Sequence, residues 1–531
     1  MLTHGIYILA LSLFGQGTTA HTYYESSTVL KDVDARMMSY LETVQNGTAS
    51  VKGLPPRATL SGCSLACNFL DSEIPGSVSF PGSPAYSLLA AGYWTTQQAE
   101  TNPGCRFSPN SVFEVAQGVL ALRSSNCKFA VKSGGHSVFS GASSIEGGVT
   151  IHLANLKQLG LSADQSQLSV GTGNRWVDVM SFLDGKGITV IGGRVAGVGV
   201  GGLPLGGGIS YFSGRHGWSC HNINSYEVVF ADGTVRDVSF KSDPDLYFAL
   251  RGGGNNFGIV TRYDFKTVPQ GNLWAGAQTF VYSKDNEKAL NEALYNLNIA
   301  SDPEAGSVLT YTFDQSNDRW LIASAMYYGK PIDHPSAFAN FTAVPGAISD
   351  TLRVAKLVDV ALEFNASNPS GFRRTTWGLT VKNDPVIMAE IDAIFIEEYN
   401  KVKDAKGLSP ALIHQTISTN QLSHFDSQGG NPFGLTEKDG PLNLIEINVA
   451  WSSAKDDNRV IAAARNTISR GSTAAQERNV LHPYVFLNYA NPEQDPFPSY
   501  GAENHDRLKT ISQKYDPQQV WQKLLPGYFK L

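Results

Sequence analysis

Charge is scarce in this chain. Asp, Glu, Lys and Arg make up 17% of the residues and sum to −6, which gives neither the basic footprint of a nucleic-acid binder nor a basic run for an anionic membrane surface. Long apolar runs are missing as well. The most apolar segment, Ile6 to Phe14, is nine residues long, about half of what a bilayer span requires. Cysteines number five, and the close pair Cys63 and Cys67 has no second pair of ligands, so a zinc centre is excluded and no metal is expected. No internal repeat or low-complexity segment appears.

The short apolar segment fits a different purpose. With small residues Thr18-Thr19-Ala20 before His21, residues 1–20 read as a signal peptide, and the protein as secreted or in the secretory pathway, with no membrane attachment after cleavage. Asn46, Asn340 and Asn365 begin Asn-x-Ser/Thr triplets suited to glycosylation. Four of the cysteines, Cys63, Cys67, Cys105 and Cys127, lie in the first quarter of the chain, which suits one or two disulfides whose pairing the spacing leaves open. Cys220, in Gly217-Trp-Ser-Cys220, reads as a buried free thiol.

Glycine is what the chain has in plenty, 52 residues, concentrated in a few places. Lys132-Ser-Gly-Gly-His-Ser137 follows the apolar Phe129-Ala-Val131. Gly134 and Gly135, lacking Cβ, let backbone N–H groups approach a phosphate or diphosphate, with His136 projecting toward whatever they hold. The second cluster, Gly192 to Gly208, contains a formal G-x-G-x-x-G at Gly197, Gly199 and Gly202. Pro204 and Gly206-Gly207-Gly208 follow at once, so the continuous helix that a nicotinamide fold demands is not expected there. What remains is a backbone surface stripped of side chains, suited to a flat ring and a diphosphate.

Periodicity organises the rest. Helices are expected over Asp32–Val44, Ser111–Leu122 with Ser111 as cap, Arg175–Leu183 and Asp243–Leu250. Strands are expected over Cys127–Val131, Gly148–Leu153, Gln167–Gly171, Gly187–Ile191 and Gly258–Phe265, and a two-residue hairpin turn at Asp232-Gly233. From residue 272 to about 480 the texture changes to strands (Ser307–Phe313, Trp320–Tyr328, Leu442–Trp451) with helices (Asn286–Leu297, Pro385–Lys403, Asp457–Arg470), an antiparallel sheet backed by helices.

Lys132-Ser-Gly-Gly-His136-Ser, Val198-Gly-Val-Gly-Gly202 with Leu205-Gly-Gly-Gly208, Arg251-Gly-Gly-Gly-Asn-Asn-Phe-Gly-Ile-Val260 and Leu487-Asn-Tyr-Ala490 together resemble the berberine-bridge-type FAD oxidoreductases. These belong to the vanillyl-alcohol-oxidase superfamily with its PCMH-type FAD domain, and the nearest flavour is the group of fungal secondary metabolism. The resemblance runs from about Cys67 to Leu531. It implies an α+β fold of two domains: an FAD-binding domain over 21–271 (its core 100–271), a substrate domain over 272–480, and a segment over 481–531 returning to the FAD domain.

The resemblance also assigns roles. His136 would bind FAD covalently at the flavin 8α-methyl carbon. Ser133, Gly134, Gly135 and Ser137 would cradle the diphosphate, while Gly199, Gly201, Gly202, Gly206, Gly207 and Gly208 pack against the cofactor, and Ile259 and Val260 contact its adenine side. Many relatives carry a second link through a cysteine where this chain has Val195, so one covalent bond is expected. Val198 falls where the family modulates oxygen access, and a small residue there implies an oxidase. The family's Tyr-x-Asn-Tyr appears as Phe486-Leu-Asn-Tyr489, leaving Tyr489 for acid/base work and Asn488 for a hydrogen bond. His414 and Glu446 lie on strands that could face the ring. The expected reaction takes hydride from a small organic substrate, an alcohol, amine, polyketide or alkaloid, and reduces oxygen to hydrogen peroxide. A carbohydrate oxidase of the same fold and a flavin-containing non-redox cyclase or binding protein are the competing readings.

Overall fold

The computed structural model describes residues 32–47, 51–52 and 60–531; the expected leader at 1–20 lies outside them. Three sheets carry the architecture. The first has four strands in the order Val78–Ser79, Cys105–Phe107, Val149–His152, Phe129–Lys132, the last three parallel. Helix Val112–Ser124 covers it. Ser111 caps that helix, its Oγ accepting from Glu114 N at 3.2 Å, and Val115, Val119 and Leu122 pack with Phe107 and Phe129.

Helix Gly62–Glu73 sits where the sequence pattern offered only mixed signals. Its Cys63 and Cys67, one turn apart and so on one face, are bonded to Cys127 and Cys105 respectively. Both bonds tie this helix to the first sheet. Cys220 is buried and free.

The second sheet is antiparallel, in the order Leu159–Leu161, Gln167–Gly171, Ile259–Pro269, Ile223–Val229, Val235–Ser239, with Ile188–Val190 paired to the far end of Ile259–Pro269. Its hairpin differs from the two-residue turn expected. Phe230 N donates to Thr234 O and Gly233 N to Phe230 O. Three residues thus form the loop, and Gly233, at φ 81°, supplies the left-handed step that closes it.

The third sheet has nine antiparallel strands, and its centre runs Arg319–Tyr328, Ala305–Asp314, Ser409–Ile417, Leu442–Trp451, Arg373–Lys382. Helices Lys284–Ala300, Pro385–Asn400 and Asp457–Glu477 back it, the last seven residues longer than expected. The two-residue period of Leu442–Trp451 sorts its side chains. Ile445, Ile447, Val449 and Trp451 enter the helix-side core, whereas Leu442 and Leu444 join the core shared with the second sheet. Helices on one face and a glycine-rich domain on the other make this an α+β fold.

The chain then comes back. Helix Ala502–Tyr515 packs on helix Pro244–Leu250, with the Lys514 ammonium 2.6 Å from the Asp245 carboxylate and the Tyr515 hydroxyl donating to it at 2.8 Å. Trp521 is fully buried, edge-on to Phe129.

Candidate flavin and active site

Strand Phe129–Lys132 ends directly in the Ser133–Ser137 loop. Gly135 sits at φ 70°, and a Cβ there would fall 2.6 Å from Lys132 Cε and 3.0 Å from the Tyr93 ring. Its carbonyl accepts from Trp94 N at 3.0 Å. That bond sets the Trp94 indole flat against the His136 imidazole, 3.9 Å between centroids and 9° from parallel. The Arg374 guanidinium lies 4.2 Å from the Trp94 ring centroid. Since one face is taken by His136, the cation occupies the other. Burial first, then the Arg374 and Arg175 charges, push the His136 imidazole down to about 3, so it is neutral with a free nitrogen lone pair at physiological pH.

The two glycine-rich segments meet backbone to backbone. A Cβ on Gly134 would lie 2.5 Å from Gly199 N and Cα, and one on Gly199 would lie 2.4 Å from Gly134 N. No side chain fits at either position. Ser133 Oγ stitches the contact, donating to Thr172 O at 2.6 Å and accepting from Gly201 N at 3.1 Å. Arg175 clamps both segments, donating through Nη2 to Gly134 O at 3.0 Å and through Nη1 to Gly197 O.

The remaining expected cofactor residues divide into two groups. Nothing lies within 4 Å of a Cβ built on Gly202, so that position faces open space. Gly206, Gly207 and Gly208 instead face protein: Asn488 Oδ1, the Trp218 ring and Leu203 stand where their Cβ atoms would be. Gly207 at φ 109° and Gly208 at φ 81° also adopt backbone that other residues resist. Ser137 contributes its carbonyl to weak bonds from Thr95 and Gln98. Val198 is partly buried, its carbonyl accepting from Trp176 N. Ile259 and Val260 lie on strand Ile259–Pro269 with their side chains in opposite cores.

The donor set suits a flavin dinucleotide. It offers a neutral imidazole stacked on Trp94, two segments that can bear no side chain, and an open glycine beside them.

Over this loop region the third sheet presents a polar face. Gly378, Glu446 and Ile413 are in register across three strands, with Asn448 and Gln415 two residues along on the same face. Gln415 Nε2 and Arg194 Nη2 lie 3.2 and 3.1 Å from Tyr489 Oη, and Arg194 also donates to Gln415 Oε1. Tyr211 Oη donates to Arg194 O at 2.7 Å. Burial pushes the Glu446 carboxyl up to about 7, against the opposing pull of Arg194, Asn448 and Arg374. Burial likewise pushes Tyr489 up to about 12, with Arg194 countering it. Glu446 therefore changes charge near neutrality, while Tyr489 keeps its proton and donates.

His414 does not belong to this face, contrary to expectation. It pairs with Ile445, one residue out of phase with Glu446, and so points into the helix side. There its Nε2 is 2.7 Å from Asp392 Oδ1 and its Nδ1 is 2.9 Å from Asn443 Nδ2, fully buried. Asn488 also looks away from the sheet. It donates to Leu203 O at 3.0 Å and accepts weakly from Tyr528 Oη, bracing the glycine loop.

Trp94, Arg175, Arg194, Arg374 and Gln415 escaped the sequence reading. Arg194 stands inside the glycine cluster, and its charge amid apolar and glycine residues was a signal. Nothing local marks Trp94, Arg374 or Gln415.

Residues 103–239 match the FAD binding domain family. The FAD-dependent monooxygenase tpcD of Cochliobolus heterostrophus is 37% identical over 518 residues, covering 93% of this chain and 99% of that protein. The bifunctional solanapyrone synthase of Alternaria solani is 32% identical, covering 99% of both chains. Among solved structures, 6-hydroxy-D-nicotine oxidase from Arthrobacter nicotinovorans superposes with a TM-score of 0.70 at 20% identity, over 84% of this chain and 96% of that one. A berberine bridge enzyme variant in complex with (S)-reticuline gives 0.68 at 14% identity, over 84% and 95%. The fold is thus that of the berberine-bridge-type flavoproteins. The chain belongs to the family of FAD-linked oxidoreductases that includes the fungal FAD-dependent monooxygenases.

Proposed function

We propose that this FAD-linked oxidoreductase removes hydride from a C–H bond of a small organic substrate bearing a hydroxyl or amine, with oxygen reduced to hydrogen peroxide. The observation that carries the reading is the pairing of the neutral His136 loop with the Glu446–Tyr489–Arg194 face. FAD, when bound, supplies the hydride acceptor. His136 would hold it through a bond to the flavin 8α-methyl carbon, and Val195 leaves no second link. Gly134, Gly135 and the open Gly202 would lie against it.

Glu446 would accept the substrate's O–H or N–H proton, a base being most effective when its pKa is near the working pH. Tyr489 Oη and the Arg194 guanidinium would hydrogen-bond the oxygen as it gains negative charge. Asn488 keeps the Leu203 loop in place. This moves the base from Tyr489, whose proton is held too tightly, to Glu446.

Residues 1–20 would export the chain; the two disulfides and the exposed Asn46 and Asn340 support that reading. A division at 271/272 is supported by the change from the second sheet to the third, but strand Leu481–His482 still pairs with Arg373–Lys382, so the return to the first domain would begin after His482 and not at 481.

Anaerobic addition of candidate metabolites should bleach the oxidised flavin band, and readmitted oxygen should restore it with peroxide. A protein that is colourless as isolated and takes up no FAD sinks the reading. Incorporation of an oxygen atom from O2 into the product would replace dehydrogenation by monooxygenation, the activity in the names of several relatives.

A further inference from the structure

Residues 527–531 thread between three of the segments that carry the flavoprotein resemblance. Asn255 Nδ2 donates to Gly527 O at 3.3 Å and Asn256 Nδ2 to Phe529 O at 3.1 Å. Tyr528 Oη donates to Leu487 O at 3.2 Å. Phe139, three residues beyond His136, lies parallel to Tyr528 with centroids 6.0 Å apart and edge-on to Phe529 at 5.8 Å. A Cβ on Gly527 would fall 2.0 Å from Gly141 O, so only glycine lets the tail pass that close. The tail is therefore a wall of the region where the His136, Arg251–Val260 and Leu487–Tyr489 segments converge.

At this convergence stands an ammonium group without a counter-ion. Lys530 Nζ donates to Asn255 Oδ1 at 2.9 Å, and among the described residues no carboxylate forms an ion pair with it. Asn255 is fully engaged, one amide atom on Gly527 and the other on Lys530, so it fixes the lysine's direction. Among the described residues, two of the three N–H bonds of the ammonium have no acceptor. Burial pushes this group down to about 7. Holding a cation there without an anion is unfavourable; a bound anion would remove that cost.

We propose that Lys530 binds a phosphate oxygen of the dinucleotide. The proposal rests on the flavin reading. The flavin, ribityl, ribose and adenine parts are neutral, and the diphosphate is the one part that an unpaired ammonium among these loops would select. Charge-assisted hydrogen bonding is the gain.

The test uses the full chain with His136→Ala, so that flavin binds reversibly, and compares it with the same protein carrying Lys530→Met or Lys530→Arg. Dissociation constants are measured for FAD and riboflavin by flavin fluorescence, and for ADP by competition. Lys530→Met should weaken FAD and ADP by roughly tenfold or more and leave riboflavin unchanged, while Lys530→Arg retains FAD. Equal loss for riboflavin would mean general distortion of the site and would overturn the assignment. So would unchanged FAD and ADP binding. Inorganic phosphate that raises the melting temperature through Lys530 without displacing FAD would assign the lysine to a separate anion, against the proposal. If the parent His136→Ala protein binds riboflavin, ADP and FAD not at all, the flavin reading itself fails.

Discussion

Trp94 and His136, 42 residues apart in sequence, stack face to face, 3.9 Å between centroids at 9°. The stack is fixed at both ends. Trp94 N donates to Gly135 O, and the Trp94 Nε1–H donates to Asn368 O at 3.0 Å. The imidazole plane is thus set by a residue from outside the glycine loop, itself anchored to the turn that leads into strand Arg373–Lys382. A nucleophile must present its lone pair along one direction, so this ring plane decides which way His136 can bond.

Removing the stack should therefore reduce covalent attachment before it affects folding. In Trp94→Leu the share of FAD that stays with the denatured polypeptide should fall severalfold, and Trp94→Phe should fall less. Flavin fluorescence of the denatured band, divided by total flavin, measures it. An undiminished share in Trp94→Leu would show that the indole does not orient His136.

Glu446→Gln should lower kcat by about 10² to 10⁴, the usual contribution of a positioned base. The sign of the pH effect follows from a carboxyl at about 7. It must be ionised to accept a proton, so wild-type turnover rises with pH through about 7, and this limb should vanish in the glutamine variant. Tyr489→Phe should weaken turnover while leaving the limb in place, because its hydroxyl, pushed up to about 12, keeps its proton near neutrality. A pH–rate profile of the three proteins separates these roles.

Gly134→Ala and Gly202→Ala make a matched pair. At Gly134 the new methyl meets Gly199 at 2.5 Å, so the apoprotein should lose roughly 1–3 kcal/mol of stability. At Gly202 nothing stands within 4 Å, so stability should be unchanged. If the flavin occupies that space, FAD uptake by Gly202→Ala should still drop. Melting temperatures and FAD content, measured together, test both statements.

Cys67→Ser with Cys105→Ser should cost about 2–5 kcal/mol in thermal or urea unfolding, since the bond spans a long stretch of chain. Cys220 should behave differently. Burial pushes its thiol up to about 12, and it should not react with thiol reagents until the protein unfolds.

Much of the site was legible because glycine is read directly. A position that must have no Cβ, such as Gly134 against Gly199, tolerates one residue type, and the clusters announced themselves. Strand and helix order was legible from periodicity. Boundaries were less so: Asp457–Glu477 runs past Arg470 because its later turns pack on strand Arg373–Lys382 and helix Pro385–Asn400, a gain invisible in local sequence. The face on which a strand residue lies was decided by register. Glu446 and His414 look equivalent as isolated sheet residues, yet the one-residue offset between Ile413 and His414 sends them to opposite sides.

The sequence by itself determined the cofactor class, the order of elements and the place of His136, which we propose holds the flavin, since backbone approach and side-chain alternation are local requirements. Only the tertiary structure decided which side chains stand over that residue and how they ionise. Arg194, Gln415, Glu446 and Tyr489 come from four separate stretches, and their charges depend on distances and burial that no single stretch contains.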